Sequence, residues 1–426
     1  MNLTRRGVLG ISGLAATAVL TSCGGNSGLG SSSAPASTQG DNTQVTLTQW
    51  YHEYGEQGVQ EAVNRYASEY TGAKVEVKWT PGDYGQILAA QLLTDQVPDV
   101  FEVEQGGSLD MIRSGQLADL SDLIAEVKDD FNDAVIERFT FDGRIHGIPQ
   151  TIDMQLLYYR PSLLEAAGVT PPGTFEELVA AANAVATPDI GGFFAGNDSG
   201  IGVLGTLLLW ASGHDQLNKE RTEAAFLTDD FYAALSAYRE FAQSKGLLHS
   251  ASAEWFSSDA FVNGETAMQW GGLWSLPDAL AAHGEDVGVL PFPRIGAQGR
   301  HAVPFGAFGA CVAAKGANVE AAKDFVKWLW IDQTDKQLDF SNSYGTHIPA
   351  RKSLVGRASQ LAAGPGADAA SFVERYGFAN DIMWSGTIGD AYSANISKVV
   401  TQGVDPKEAF AEFGALVASE LEQLKK

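Results

Sequence analysis

The hydrophobic pattern of this chain switches period repeatedly after residue 44. Val45 to Trp50 alternates as a strand, Val59 to Tyr70 has helical spacing, Val75 to Trp79 is extended again, and Tyr84 to Leu93 is helical. Strands alternating with helices predict an α/β fold. At 426 residues the chain also exceeds the ~250–300 at which one hydrophobic core stops growing, so two lobes are expected. Two later helices carry start signals. Thr174-Phe175-Glu176-Glu177 reads as a capping box before Leu178 to Val185, and Asp405-Pro406-Lys407-Glu408 supplies an N-cap, a first-turn proline and a third-position acid before a C-terminal helix. Ala321 to Trp330 sets Phe325, Val326 and Leu329 on one helical face.

The N-terminus fixes the compartment. Arg5-Arg6 precedes an uncharged run from Gly7 to Leu20, the length of a signal-peptide hydrophobic region and short of the ~20 residues of a membrane span. Leu20-Thr21-Ser22-Cys23 resembles the bacterial lipobox, in which the cysteine is acylated and becomes the new N-terminus. Residues 1–22 are therefore read as a signal peptide, Cys23 as the lipidation site, and the Gly/Ser/Ala/Thr-rich segment 23–43 as a flexible tether. Thr4 to Leu9 bears a looser resemblance to a twin-arginine signal. With two cysteines in all, lipidation of Cys23 leaves Cys311 single, within the apolar run Gly309 to Ala313, as a buried small hydrophobe.

Charge and motifs exclude several functions. A formal net charge of −24 opposes nucleic-acid binding and docking on anionic lipid, both of which need basic patches. Gly200-Ile201-Gly202-Val203-Leu204-Gly205 has the letters of a dinucleotide fingerprint, but it follows Gly196-Asn197-Asp198-Ser199 and reads as a glycine cluster between loop and helix. The seven histidines show no metal-ligand spacing, and neither a Gly-x-Ser-x-Gly elbow nor a phosphate-cradling loop occurs. No metal, cofactor or catalytic residue is expected. Paired carboxylates for glycoside hydrolysis stay open, because their separation is a property of the fold.

What accumulates instead is aromatic residues near turns: Trp50, Trp210, Trp255, Trp270, Trp274 and Trp384 among nine tryptophans. Each alone suits core packing. Together with acids such as Glu53, Glu104 and Asp153 they suit a cleft that offers an apolar platform to a sugar ring and acceptors to its hydroxyls.

Four motifs in order give the chain a resemblance to the extracellular solute-binding proteins of bacterial ABC transporters, in the sugar-binding group that includes maltose-binding protein. They are Pro98-Asp99-Val100 with Gly115 to Leu120; Asp142 to Pro149 with Leu157-Tyr158-Tyr159-Arg160 and Ala167-Gly168; Phe261 to Met268; and Gly288 to Pro293 with Ala321 to Val326 and Ile348 to Arg351. The family commonly has Asn where Arg160 stands. The resemblance implies a two-lobed periplasmic-binding-protein-like fold with the ligand cleft between hinge crossings near Asp153 to Leu157, Leu290 to Arg294 and Ser341 to Gly345. It implies an N-terminal lobe of residues 44–154 and 292–342, and a C-terminal lobe of residues 155–291 and 343–426.

Ligand-binding residues follow from the same resemblance. Trp50 to Tyr54 corresponds to the loop after the first strand, where Trp50 could equally end the strand as core while Glu53 or Tyr54 faces the cleft. Glu104 and Gln105 follow the strand of the first motif, Pro98-Asp99-Val100, Asp153 stands where a sugar-contacting acid is found, and Thr206 and Trp210 precede Gly213. Trp274 matches a sugar-stacking tryptophan, with Gly272 letting backbone approach the ligand and Trp270 packing beneath. Phe305 and Gly306 stand near the sugar, and Trp384 and Tyr392 add a C-terminal aromatic. The expected protein is a monomer, anchored outside the cell membrane by its lipid, that binds a carbohydrate and delivers it to an ABC permease. A cationic solute such as a polyamine, held by the same aromatics and acids, is a second reading; a secreted glycoside hydrolase is a third.

Overall fold

The computed structural model describes residues 44–425; the leader, Cys23 and the tether lie outside them. Two sheets organise the chain. In the first, the parallel strands Lys74–Thr80, Thr46–His52 and Val100–Glu104 are extended by the antiparallel strands Phe308–Val312 and Ile148–Pro149. Helices Val59–Glu69 and Tyr84–Gln91 supply the crossovers. Tyr51, Phe325, Leu329 and Trp330 form part of the core they cover.

The second sheet is built on the nine-residue strand Thr151–Tyr159, the longest strand of the fold. It pairs with Ile348–Pro349, Val303–Gly306, Thr266–Gly272 and Gly288–Leu290 along its length. Strands Gly191–Phe194, Leu247–Leu248 and Gly377–Phe378 complete that sheet. The Thr266–Gly272 strand is buried at every residue, the polar Thr266 and Gln269 included, so both of its faces are covered. Trp270, Phe175, Phe193 and Phe292 lie in the largest core, on this side of the molecule. The Thr174 capping box forms in full, the hydroxyl accepting from Glu177 N at 3.1 Å while the Glu177 carboxylate accepts from Thr174 N at 3.0 Å. Such a cap is worth about 1 kcal/mol. The expected C-terminal helix is interrupted: Pro406–Ala409 is capped by Asp405, and a second helix, Phe413–Leu424, follows.

The crossings between sheets differ from expectation at two places. Thr151 already belongs to the second sheet and Pro149 to the first, so the first crossing is the single residue Gln150, upstream of Asp153 to Leu157. Leu290 to Arg294 is no crossing. Strands Gly288–Leu290 and Val303–Gly306 both pair with Thr151–Tyr159, and Phe292 sits in the second core, so residues 292–306 belong with the C-terminal lobe. The chain crosses instead at Ala307, between Gly306 in one sheet and Phe308 in the other. The two crossings are adjacent, with Gln150 N donating to Phe308 O at 2.9 Å and Gln105 N to Ala307 O at 2.7 Å. A third runs from the end of helix Thr334–Ser343 to Ile348.

Candidate functional site

A cavity of about 560 Å³ opens beside these crossings, where the Thr151–Tyr159 and Val303–Gly306 strands meet the loop after Val100–Glu104. Helix Ile201–Ala211 forms one wall. It starts at Gly200, whose φ of 79° is left-handed, and the Asp198 carboxylate accepts from Gly200 N at 2.9 Å and Gly202 N at 2.7 Å. The glycine cluster is thus a helix start. Gly202, Val203, Thr206, Leu207 and Trp210 then face the cavity at the three-and-four spacing of one helical face.

Aromatic rings stand on two sides. Trp255, Phe256 and Trp274 make one group: the Trp274 indole N–H donates to Phe256 O at 3.0 Å, and the Trp255 and Trp274 rings lie 6.4 Å apart at 57°. Phe256 is 57% exposed, an open apolar ring at the rim. Opposite, Trp210 stacks on Phe378 at 5.2 Å and 13°, with the Arg300 guanidinium 4.3 Å above Phe378. Such faces attract apolar C–H surfaces and hydrogen-bonding rims together.

Polar groups on the cavity wall are held by neighbours behind it. Trp270 is fully buried and donates through its indole N–H to Gln155 Oε1 at 2.9 Å. Because that N–H can only donate, it fixes the Gln155 amide with its NH₂ left for other acceptors. Asp153 Oδ1 lies 2.5 Å from His347 Nδ1, and His347 Nε2 lies 3.4 Å from Glu56. Burial opposes charge on His347, but Asp153 and then Glu56 outweigh it and raise its pKa to about 10. The imidazolium therefore neutralises much of the Asp153 charge at neutral pH. Gln105, at a left-handed φ of 54°, keeps a buried Oε1 without a hydrogen-bond partner.

The structure brings Glu104, Gln105, Asp153, Thr206, Trp210, Trp274, Phe305 and Gly306 to this one cavity. The other proposed contacts lie elsewhere. Trp50 is core, buried beneath the Lys78 ammonium 3.6 Å from its ring centroid. Glu53 is exposed outside the cavity, while the Tyr54 hydroxyl is turned inward and donates to buried Glu102 at 2.8 Å. Gly272 lies under the Trp274 indole and not at the cavity wall. Tyr392 is buried and donates to Gly205 O at 2.7 Å, and Trp384 packs on Tyr392, Phe226 and Phe413. Both residues of that C-terminal expectation are turned into the second core, Tyr392 on helix Gly386–Gln402 and Trp384 just before it.

Sequence reasoning did not assign Gln155, Trp255, Phe256, Phe378 or Asn380 to the cavity that they line. Trp255 had a signal, a tryptophan among Ser, Ala and acidic residues. Gln155 had another, two positions after Asp153 on a strand and so on the same face. Among the described residues no group of three or more His, Cys, Asp or Glu is placed to hold a metal ion, and no helix is long and apolar enough to cross a membrane.

Two α/β lobes joined by three short crossings, two of them single residues, with a cavity lined from both, define a hinged binding protein. The chain belongs to the bacterial extracellular solute-binding protein family, whose model matches residues 49–330. It is 26% identical over 309 residues to the diacetylchitobiose binding protein DasA of Streptomyces coelicolor, covering 70% of this chain and 72% of that one. It is 26% identical over 266 residues to the maltodextrin-binding protein MdxE of Bacillus subtilis, covering 58% of this chain and 61% of that one. In fold it is similar to the GacH receptor of Streptomyces glaucescens (TM-score 0.76, 22% identity, 89% and 99% covered). The maltotriose binding protein of Thermus thermophilus has a TM-score of 0.72 at 23% identity, with 89% and 100% covered. Membership of an extracellular family places this protein outside the cytoplasm.

Proposed function

We propose that this protein binds a carbohydrate in the cavity between its lobes and delivers it to the permease of an ABC transporter, without a chemical step. The observation that carries this reading is one cavity holding two aromatic groups, Trp255–Phe256–Trp274 and Trp210–Phe378, around Glu104, Gln105, Asp153, Gln155 and Thr206. Rings of this kind cover the apolar faces of a sugar, and the amides and carboxylates meet its hydroxyls. Closure of the lobes removes water from both sets of contacts, and several contacts together offset the cost of ordering ligand and hinge. The names of relatives that bind diacetylchitobiose and maltodextrin support the same reading. The paired state of Asp153 weighs against a cationic solute, since His347 already supplies its counter-charge.

The protein works outside the cell membrane, held there by lipid on Cys23, and acts as a monomer. A thermal-shift screen against mono- and oligosaccharides tests the reading: a ligand of the native state raises Tm, by an amount equivalent to about 2.7 kcal/mol at a hundredfold excess over Kd. The reading falls if no sugar shifts Tm while a polyamine does, or if reducing ends accumulate from a bound oligosaccharide.

A further inference from the structure

A second space adjoins the Trp274 cavity at Trp210 and Phe378. Those two rings and Asn380 also line this second cavity, of about 550 Å³, whose far walls include Arg138 from helix Asp133–Phe139 and Asn218 and Asp381 from the other lobe. Either cavity alone falls within the ~300–1,000 Å³ of sites for small ligands; the two joined exceed it.

Lys219 on the chamber wall is exposed to solvent, whereas Arg138 is partly buried and leaves bonding capacity unused. Its helix is pinned from behind, because Phe139 fills a notch where a Cβ on Gly309 would lie 2.0 Å from the ring, and one on Gly106 2.8 Å away. The guanidinium donates from Nη1 to Gly107 O at 3.3 Å, and its buried Nε–H has no hydrogen-bond partner. The other arginines of the chamber are spoken for: Arg221 pairs with Asp381 at 2.8 Å, and neighbouring Arg300 pairs with Asp215 at 2.5 Å. Among the described residues Arg138 has no ion-pair partner of this kind. Burial pulls its pKa down to about 10, against the pull of Asp381 and Glu104, so the cation has given up hydration without a matching contact. A partly desolvated guanidinium with idle donors gains from an oxygen-rich ligand.

We propose that this second chamber is a further ligand subsite, taking the distal rings of an oligosaccharide too long for the Trp274 cavity, with Arg138 donating to their oxygens. It rests on the carbohydrate reading above. The Trp210–Phe378 stack is then the shared wall past which the ligand runs, and Arg138 sets the length that binds best.

Calorimetry with maltooligosaccharides and N-acetylchitooligosaccharides of two to five rings tests this. In the series that binds, affinity rises tenfold or more between two and four rings. Arg138→Gln removes that gain and leaves the disaccharide within twofold. Ala134→Trp, at an exposed helix position on the chamber wall, does the same by filling the space, and keeps the test independent of how Arg138→Gln folds. Affinity that is flat with length overturns the subsite alone, as does Arg138→Gln weakening two and four rings equally while Ala134→Trp has no effect. If neither series binds at any length, the carbohydrate reading falls and the subsite with it.

Discussion

The Trp274 indole folds back over the backbone of Gly272, so closely that a Cβ on Gly272 would lie 2.1 Å from the ring. The glycine's own φ of −91° is open to any residue, so the requirement is steric and not conformational. Gly272 acts on the cavity through Trp274.

Gly272→Ala therefore expels the indole from its place. A ring contact of this kind contributes about 0.5–1.5 kcal/mol beyond area burial, and Trp274 combines it with surface burial. Sugar affinity measured by calorimetry is expected to fall at least tenfold in Trp274→Ala and to a similar extent in Gly272→Ala, with the fold retained in both. Unchanged affinity in Trp274→Ala would remove that residue from the ligand site. Wild-type affinity in Gly272→Ala would mean that the ring is not needed in this position.

Trp270 and Gln155 should separate stability from binding. Trp270→Phe deletes both a buried ring and the donor to Gln155, and is expected to cost about 1–3 kcal/mol in urea denaturation along with several-fold in affinity. Gln155→Glu keeps an oxygen to accept from the buried Trp270 N–H and removes only the NH₂ donor at the cavity wall. It should lower affinity several-fold with Tm nearly unchanged; equal affinity to wild type would show that the Gln155 amide meets no ligand.

Local rules carried further than long-range ones in this chain. The Thr174 capping box and the Asp405 N-cap involve neighbours three residues apart, and both are present. The alternation that predicted strands and helices before residue 94 is likewise local. The second crossing was misplaced because it depends on Phe305 pairing with Met154 and Gly306 with Asp153, some 150 residues away, which no nearby pattern encodes. Aromatics divided by the same principle. Trp274, placed by the resemblance, follows directly on the end of strand Thr266–Gly272, whereas Trp50, Trp384 and Tyr392 have similar local surroundings and are turned inward by packing. Gln105 shows the reverse case: its left-handed φ and buried, unpartnered Oε1 are visible only in three dimensions.

The lipobox reading has a direct check. Cys23→Ala in the full-length chain removes the acylation site without touching residues 44–425, so the protein is expected to leave the membrane fraction and appear in the medium or soluble extract. Retention at the membrane to the same extent as wild type would rule out Cys23 as the anchor. Cys311 serves as the control, since it is fully buried and burial pushes its thiol pKa up to about 12. Thiol reagents should leave it unmodified until the protein unfolds.

The Glu56–His347–Asp153 cluster predicts how stability depends on pH. His347 lies in the third crossing, Asp153 on the central strand of the second sheet and Glu56 after the first strand of the other sheet, so the cluster joins both lobes at the hinge. Its folded-state pKa of about 10 lies above the ordinary ~6.5 of an unfolded histidine. A raised pKa contributes stability that is fully present below about 6.5 and is lost as pH rises toward about 10, because over that window the native state holds a proton that the unfolded state has released. The slope from this one group approaches ~1.4 kcal/mol per pH unit. Wild-type stability should therefore fall between pH 7 and 10. His347→Gln should flatten that fall and lower stability at pH 7, since Asp153 and Glu56 then share the site without a cation. Parallel stability curves for wild type and variant across this window would show that His347 is not charged in the native protein.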